Sequence, residues 1–213
     1  MNANGLLDAA LAYAELGYAV FPCARGSKKP LTENGFKDAT TDAAQIEAWW
    51  SKWPNANIGM ATEGLVVIDE DRPDNPWLRN APERQADLAG APMSFTPRGG
   101  NHRIMRQPEG KPWRCSTSAL ASKVDVRADG GYIVLPPSVT RDGVYRWQET
   151  MELDCPPAEL PEPPGWLVNL LDEVATRGDT GRTVASGAPV ANTIPSGQRN
   201  ATLARLGGTM RRV

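Results

Sequence analysis

The chain has 213 residues, 40% of them hydrophobic and 23% charged, which suits one large globular domain or two small ones with a real core. Its 23 Lys and Arg against 25 Asp and Glu leave a net charge of −2, which excludes a uniformly basic, histone-like DNA binder but not a local basic groove. Three scattered cysteines (Cys23, Cys115, Cys155) and a single histidine, His102, exclude a disulfide framework and a zinc site and point to a reducing, cytoplasmic setting. No apolar run is long enough to span a membrane, and no basic region precedes an apolar one at the N-terminus.

In chain order, apolar residues at Leu6, Leu7, Ala10, Leu11 and Ala14 predict a helix over 3–17, ended by Gly17. Residues 18–23 read as a short strand, followed by a basic, turn-rich loop over 24–30. A second helix is predicted over 42–53. Asp42 and Gln45 resemble a capping box, and Pro54 stops the helix. Its three tryptophans, Trp49, Trp50 and Trp53, read as core residues rather than base-stacking ones. The continuous apolar run Leu65-Val66-Val67-Ile68 predicts a central strand buried on both faces. It runs straight into Asp69-Glu70-Asp71.

Residues 77–89 are weakly helical, and strands are predicted at 93–96, 102–107, 123–127, 131–135 and 143–148. This order predicts an α+β domain with a mixed or antiparallel sheet. The Pro-rich stretch 156–164 excludes regular helix and central strand. A last amphipathic helix through Trp166, Leu167, Leu170, Leu171 and Val174 is expected to close the domain as a lid. Three segments are expected: a folded domain over 1–175, a Gly/Pro-rich linker over 176–197, and over 198–213 the truncated start of a further basic helical segment.

Three clusters carry candidate chemistry. On a strand, Asp69 and Asp71 share a face while Glu70 points away. Two such carboxylates repel unless neutralised, which a divalent cation does well; a pair of solvated turn acids is the alternative. In Thr96-Pro97-Arg98-Gly99-Gly100-Asn101-His102-Arg103, glycines between strands let backbone amides approach an anion, and Arg98 and Arg103 supply charge beside His102; the alternative is an ordinary hairpin turn. In Lys123-Val124-Asp125-Val126-Arg127, alternation puts Asp125 between two cations on one face, as a third metal ligand beside phosphate-holding groups or as one member of a cross-strand salt-bridge stripe. The Asp129-Gly130-Gly131 turn predicts a hairpin from this strand into the next. Seven basic residues between Arg98 and Arg127 stand against two acids, and seven acids between Glu63 and Asp87 against three arginines. An acidic metal cluster opposing a basic segment across a cleft is the arrangement expected for a nucleotide-plus-metal site.

These motifs, in this order, resemble the N-terminal domain of bifunctional DNA primase/polymerases, a branch of the archaeo-eukaryotic primase superfamily. The resemblance covers roughly residues 6–175. It rests on Ala10–Tyr13 with Gly17–Pro22, Lys29-Pro30-Leu31, Gly35–Thr41, Trp49-Trp50, Pro54–Gly59 and Gly64–Asp69. It continues through Gly99-Gly100 with His102, Asp125-Val126-Arg127, Gly130-Gly131-Tyr132 and Pro136-Pro137-Ser138. It departs from the family at Arg103-Ile104-Met105, where an aromatic is more usual. Ile194–Leu203 resembles the opening of the helical domain that follows such domains in phage and plasmid replication proteins, in which a helicase commonly follows.

The resemblance implies a two-lobed core with an RRM-like sheet and flanking helices. It implies two divalent ions, Mg²⁺ or Mn²⁺, held by Asp69, Asp71 and Asp125. It implies phosphate contacts of the incoming nucleotide at Gly99, Gly100 and His102; Arg127 is expected to bind the triphosphate beside His102, with Lys29, Arg98 and Ser138 as weaker phosphate or template candidates. The implied partners are a single-stranded DNA template, a primer and nucleoside or deoxynucleoside triphosphates, in a bacterial or phage-infected cytosol without a membrane. Two other readings stay open from the sequence: a catalytically silent nucleic-acid-binding module attached to a helicase, and another metal-dependent nucleotidyl transferase or nuclease.

Overall fold

The computed structural model describes residues 3–72 and 74–183, with side chains over 5–72 and 74–177. The chain divides into two units at Arg177/Gly178, and the first carries both sheets. Helix α1 (Ala3–Glu15) ends as its sequence predicts. Gly17 takes φ +101, the Tyr18 N–H donates to the Tyr13 carbonyl (3.0 Å) and the Gly17 N–H to that of Ala14 (3.0 Å). These two bonds satisfy carbonyls the helix end would leave bare. Helix α2 (Ala43–Lys52) is capped by the Asp42 side chain, which accepts from the Ala44 N–H. Trp50 is buried, its indole donating to the Ala56 carbonyl, and Trp49 and Trp53 pack against the same core. The tryptophans are core residues.

All the strand pairing within the sheets is antiparallel. Strands β1 (Val20–Cys23), β2 (Asn57–Ala61) and β8 (Tyr132–Leu135) form a three-stranded sheet in the order β1-β2-β8. A six-stranded sheet is built from β3 (Leu65–Glu70), β4 (Met93–Phe95), β5 (Asn101–Arg106), β6 (Ser116–Ala121), β7 (Val124–Arg127) and β11 (Arg146–Trp147), in the order β11-β4-β5-β3-β7-β6. A small ribbon joins β9 (Val139–Thr140) to β10 (Gly143–Val144). The pair of short helices α3 (Pro76–Arg79) and α4 (Pro82–Asp87) connects β3 to β4, the split crossover that an RRM-like order β4-β5-β3-β7 requires. The fold is α+β, as expected.

Strand β3 is the spine of the molecule. Its Leu65 and Val67 join the core shared with α1, α2 and the three-stranded sheet. Val66 and Ile68 face the other way, into a second core with Trp113, Leu167 and Leu171. The last two belong to α5 (Gly165–Thr183). That helix therefore backs the six-stranded sheet on the side away from the three-stranded one; it is a buttress, not a lid. It also continues through residues 176–183, where the linker was expected to begin. The rest of that segment and the expected helical start over 198–213 lie outside the described residues. Among the described residues no helix is long and apolar enough to cross a membrane.

Strands β7 and β8 do not form the expected hairpin. β7 is already paired on both edges, by β3 and β6, so no edge remains for β8, which pairs instead with β2. Residues 128–131 carry the chain from one sheet to the other. The crossing is fixed by Thr62, whose hydroxyl donates to the Ala128 carbonyl (2.6 Å) and whose N–H donates to that of Gly131 (3.1 Å).

Candidate active site

The antiparallel register sets Asp69 on β3 opposite His102 on β5 and opposite Asp125 on β7, and His102 opposite Ser94 on β4. Directly opposed residues point to the same face. The four side chains thus form one polar row across four strands, on the face that carries Val67 toward the three-stranded sheet. Two residues beyond Asp125 on β7, the Arg127 guanidinium reaches back. One of its nitrogens, Nη2, lies 2.7 Å from Asp125 Oδ2 and 3.5 Å from Asp69 Oδ2. The other oxygen of Asp125 accepts from the Ser118 N–H (2.8 Å). His102 Nε2 lies 3.5 Å from Asp69 Oδ1.

His102 is 2% exposed. Burial pushes its pKa down to about 4, against the pull of Asp69 and with the help of Lys28 and Arg127. The imidazole is therefore neutral at neutral pH, and it meets an anion as a neutral donor.

Asp69 and His102 of this row, with Arg127, line a cavity of about 350 Å³ between the two sheets, together with Lys28, Phe36 and Tyr132. Phe36 and Tyr132 are stacked, with ring centroids 5.8 Å apart, and Phe21 meets Tyr132 edge-on. The Lys28 ammonium lies 5.9 Å from the centre of the Tyr145 ring, whose own centre is 6.0 Å from that of His102. A floor of one carboxylate and an imidazole, two cations and an aromatic wall suit a ligand that carries both phosphates and a planar ring.

Several sequence candidates stand elsewhere. Asp71 is not in the row. β3 ends at Glu70; the Asp71 N–H still donates to the Lys123 carbonyl, in the register of the β3–β7 pairing, but Arg72 at φ +77 then turns the chain. The exposed Asp71 instead lines a separate cavity with Arg72, Asn75, Trp77 and Lys123. Lys28, and not its neighbour Lys29, lines the main cavity. Ser138 is fully buried and its hydroxyl accepts from the Ile58 N–H (2.9 Å). Arg98 is exposed and paired with Asp142 at 2.9 Å. The acidic and basic segments do not oppose each other across a cleft, because β3, β5 and β7 are neighbours in one sheet. Arg103 is buried on the opposite face from His102, Arg106 pairs with Glu162, and Lys111 pairs with Asp172.

The two glycines before β5 have separate duties. Gly99, at φ +82, closes the four-residue turn in which its N–H donates to the Thr96 carbonyl, a conformation that favours glycine. Gly100 packs on the end of β3, where a Cβ would run into the Glu70 carbonyl. Backbone cannot yield as a flexible side chain can. Gly100→Ala is expected to destabilise the protein by about 2–3 kcal/mol and to lower Tm by about 5–10 °C, read by calorimetry. It should also shift the Asp69 end of β3.

Among the described residues no three His, Cys, Asp or Glu side chains converge into a ready metal cage. The donor set still fits a hard divalent ion. Two carboxylates present oxygens to one shared cation, and Mg²⁺ is commonly held by one or two carboxylates together with substrate phosphates rather than by an all-protein cage.

The profile of the N-terminal domain of bifunctional DNA primase/polymerases (Prim-Pol) matches residues 10–163, which takes in every strand of both sheets and the whole polar row. No curated protein matches the chain. The chain belongs to the bifunctional DNA primase/polymerase N-terminal family.

Proposed function

We propose that this domain is a template-dependent nucleotidyl transferase that makes primers and extends them on DNA, with divalent ions as cofactors. The observation that carries the reading is the row Asp125–Asp69–His102, of which Asp69 and His102 line a cavity that also holds Arg127, Lys28 and the Phe36–Tyr132 stack. Asp69 and Asp125 would hold Mg²⁺ or Mn²⁺. Asp71 is kept as the candidate ligand of a second ion on sequence alternation and family resemblance, not on its position here. A bound ion would activate the attacking 3′-hydroxyl and stabilise the departing pyrophosphate. The chain's own groups bind and orient: Arg127 and Lys28 supply charge to the triphosphate, and His102 adds a neutral donor from the floor. The stacked Phe36 and Tyr132 receive the sugar or base. The same family reading supplies the partners: a single-stranded template, a primer and, in a longer replication protein, a helicase.

The test is extension of a primed single-stranded template by the full chain with Mn²⁺ or Mg²⁺, using deoxynucleoside and nucleoside triphosphates in parallel. Metal-dependent extension abolished by a chelator is expected. Failure to incorporate either kind of nucleotide with either ion overturns the reading. In the same assay Phe36→Ala is expected to raise the KM for nucleotide about tenfold with kcat little changed, because stacking on an aromatic face is worth about 1–3 kcal/mol per base.

A further inference from the structure

We propose that Arg127 occupies the cation position of the carboxylate pair, so that a divalent ion must displace it and the incoming triphosphate draws it away. Metal and nucleotide then bind as coupled ligands. The proposal rests on the reading that Asp69 and Asp125 hold metal.

The oxygens decide it. One oxygen of Asp125 is committed to the Ser118 N–H, and one oxygen of Asp69 faces His102 Nε2. The two that remain, Oδ2 of each, both lie on a single nitrogen, Arg127 Nη2, at 2.7 and 3.5 Å. A divalent ion needs those same oxygens at about 2.0–2.1 Å. A guanidinium nitrogen and a metal ion cannot share them, by size or by charge. The side chains of Asp69 and Asp125 are only 13% and 12% exposed, so their attraction for a cation is screened less than at an open surface.

Arg127 is held but not trapped. Its side chain is 31% exposed, and it lines the cavity beside Lys28. A triphosphate entering that cavity offers the guanidinium an alternative set of oxygens, in the planar two-pronged geometry it favours. Phosphates that take Arg127 free the carboxylates for metal, and a metal that takes the carboxylates frees Arg127 for phosphates. By linkage each ligand must strengthen the other by the same factor. Without nucleotide the guanidinium guards the pair against ions.

The experiment is a Mn²⁺ titration, free Mn²⁺ being counted by electron paramagnetic resonance, with no nucleotide present. It compares the wild-type chain, Arg127→Met, Arg127→Lys and the double variant Arg127→Met with Asp125→Asn. Arg127→Met is expected to bind Mn²⁺ about tenfold tighter than wild type, the scale of losing one charge-assisted competitor. Arg127→Lys, with one compact ammonium, is expected to fall between them, and it serves as the reading if the Met variant does not fold. Equal affinity in wild type and both single variants, with Asp125→Asn still abolishing binding, overturns the competition and leaves the metal reading standing. Mn²⁺ binding that Asp125→Asn does not weaken places the ion elsewhere, and overturns both.

Discussion

Asp69→Asn and Asp125→Asn are each expected to lower nucleotide incorporation by about 10³-fold, the scale on which a site loses preorganised charge at the reacting atoms. Both changes are nearly isosteric. The amide introduced by Asp125→Asn keeps an oxygen for the Ser118 N–H, and each variant keeps one carboxylate beside Arg127. The fold should therefore survive at a cost of about 1–2 kcal/mol, from weakening one charge-assisted hydrogen bond. The pair does not relieve strain when removed. The self-repulsion that two neighbouring acids imply is already offset by the guanidinium on them. Asp71→Asn is the informative companion. Its carboxylate is exposed past the end of the strand and outside the cavity, so its effect should be the smallest of the three. Single-turnover extension with each variant, alongside a thermal melt, checks the order. An Asp71 variant as inactive as the other two would show that the strand end reorganises around the substrate.

The contrast between Asp69 and Asp71 shows what a sequence can and cannot determine. The run of Leu65 to Ile68 marks a strand buried on both faces because such a run has no polar side to offer solvent. Alternation then puts Asp125 and Arg127 on one face of their strand. Neither argument contains the register. That Asp125 sits opposite Asp69, far away in sequence, is a property of pairing between strands, and it alone makes a site of the two. Alternation also says nothing of where a strand ends: β3 stops at Glu70 and the chain turns through Arg72, which leaves Asp71 exposed at its end. The choice of Lys28 over Lys29 depends on which way a loop lysine is thrown, and adjacent lysines look alike to any pattern. Phe36 lies in a short 3-10 turn, Gly35–Asp38, with no periodicity to expose it; its only signal was membership in the resemblance over 35–41. Ser138 shows the converse case. Its neighbourhood is rich in motif, but its side chain is buried and its hydroxyl accepts from the Ile58 N–H.

His102 is expected to make the folded protein lose stability as pH falls, through a window set by its burial. In the unfolded chain the imidazole titrates near 6.5, and in the folded protein near about 4. Between those values the unfolded state binds a proton that the folded state refuses, so acid favours unfolding. The contribution is whole above pH 6.5, shrinks as pH falls, and is gone below about 4. At about 1.4 kcal/mol per unit it amounts to about 3 kcal/mol at most. Other groups act in or beside the same range. Asp172, hydrogen-bonded to Lys111 and Trp113, has its pKa lowered, so its share is lost at lower pH. Glu70 is raised by burial, so it works in the opposite sense, favouring the folded state as pH falls. The wild-type curve alone therefore does not isolate the histidine. His102→Gln does, since it keeps a polar side chain of similar size at the cavity floor and removes only the titration. Urea unfolding of both proteins between pH 4 and 8 should give ΔG curves that run parallel above about pH 6.5, below which wild type falls away relative to the variant. In separate binding titrations His102→Ala should weaken triphosphate more than DNA, because the residue lies on the floor of the cavity proposed to take the triphosphate. Curves that stay parallel across the whole range would mean that His102 takes up its proton as readily in the folded protein as in the unfolded chain, and the neutral donor at the base of the site would have to be replaced, in mild acid, by a third cation beside Arg127 and Lys28.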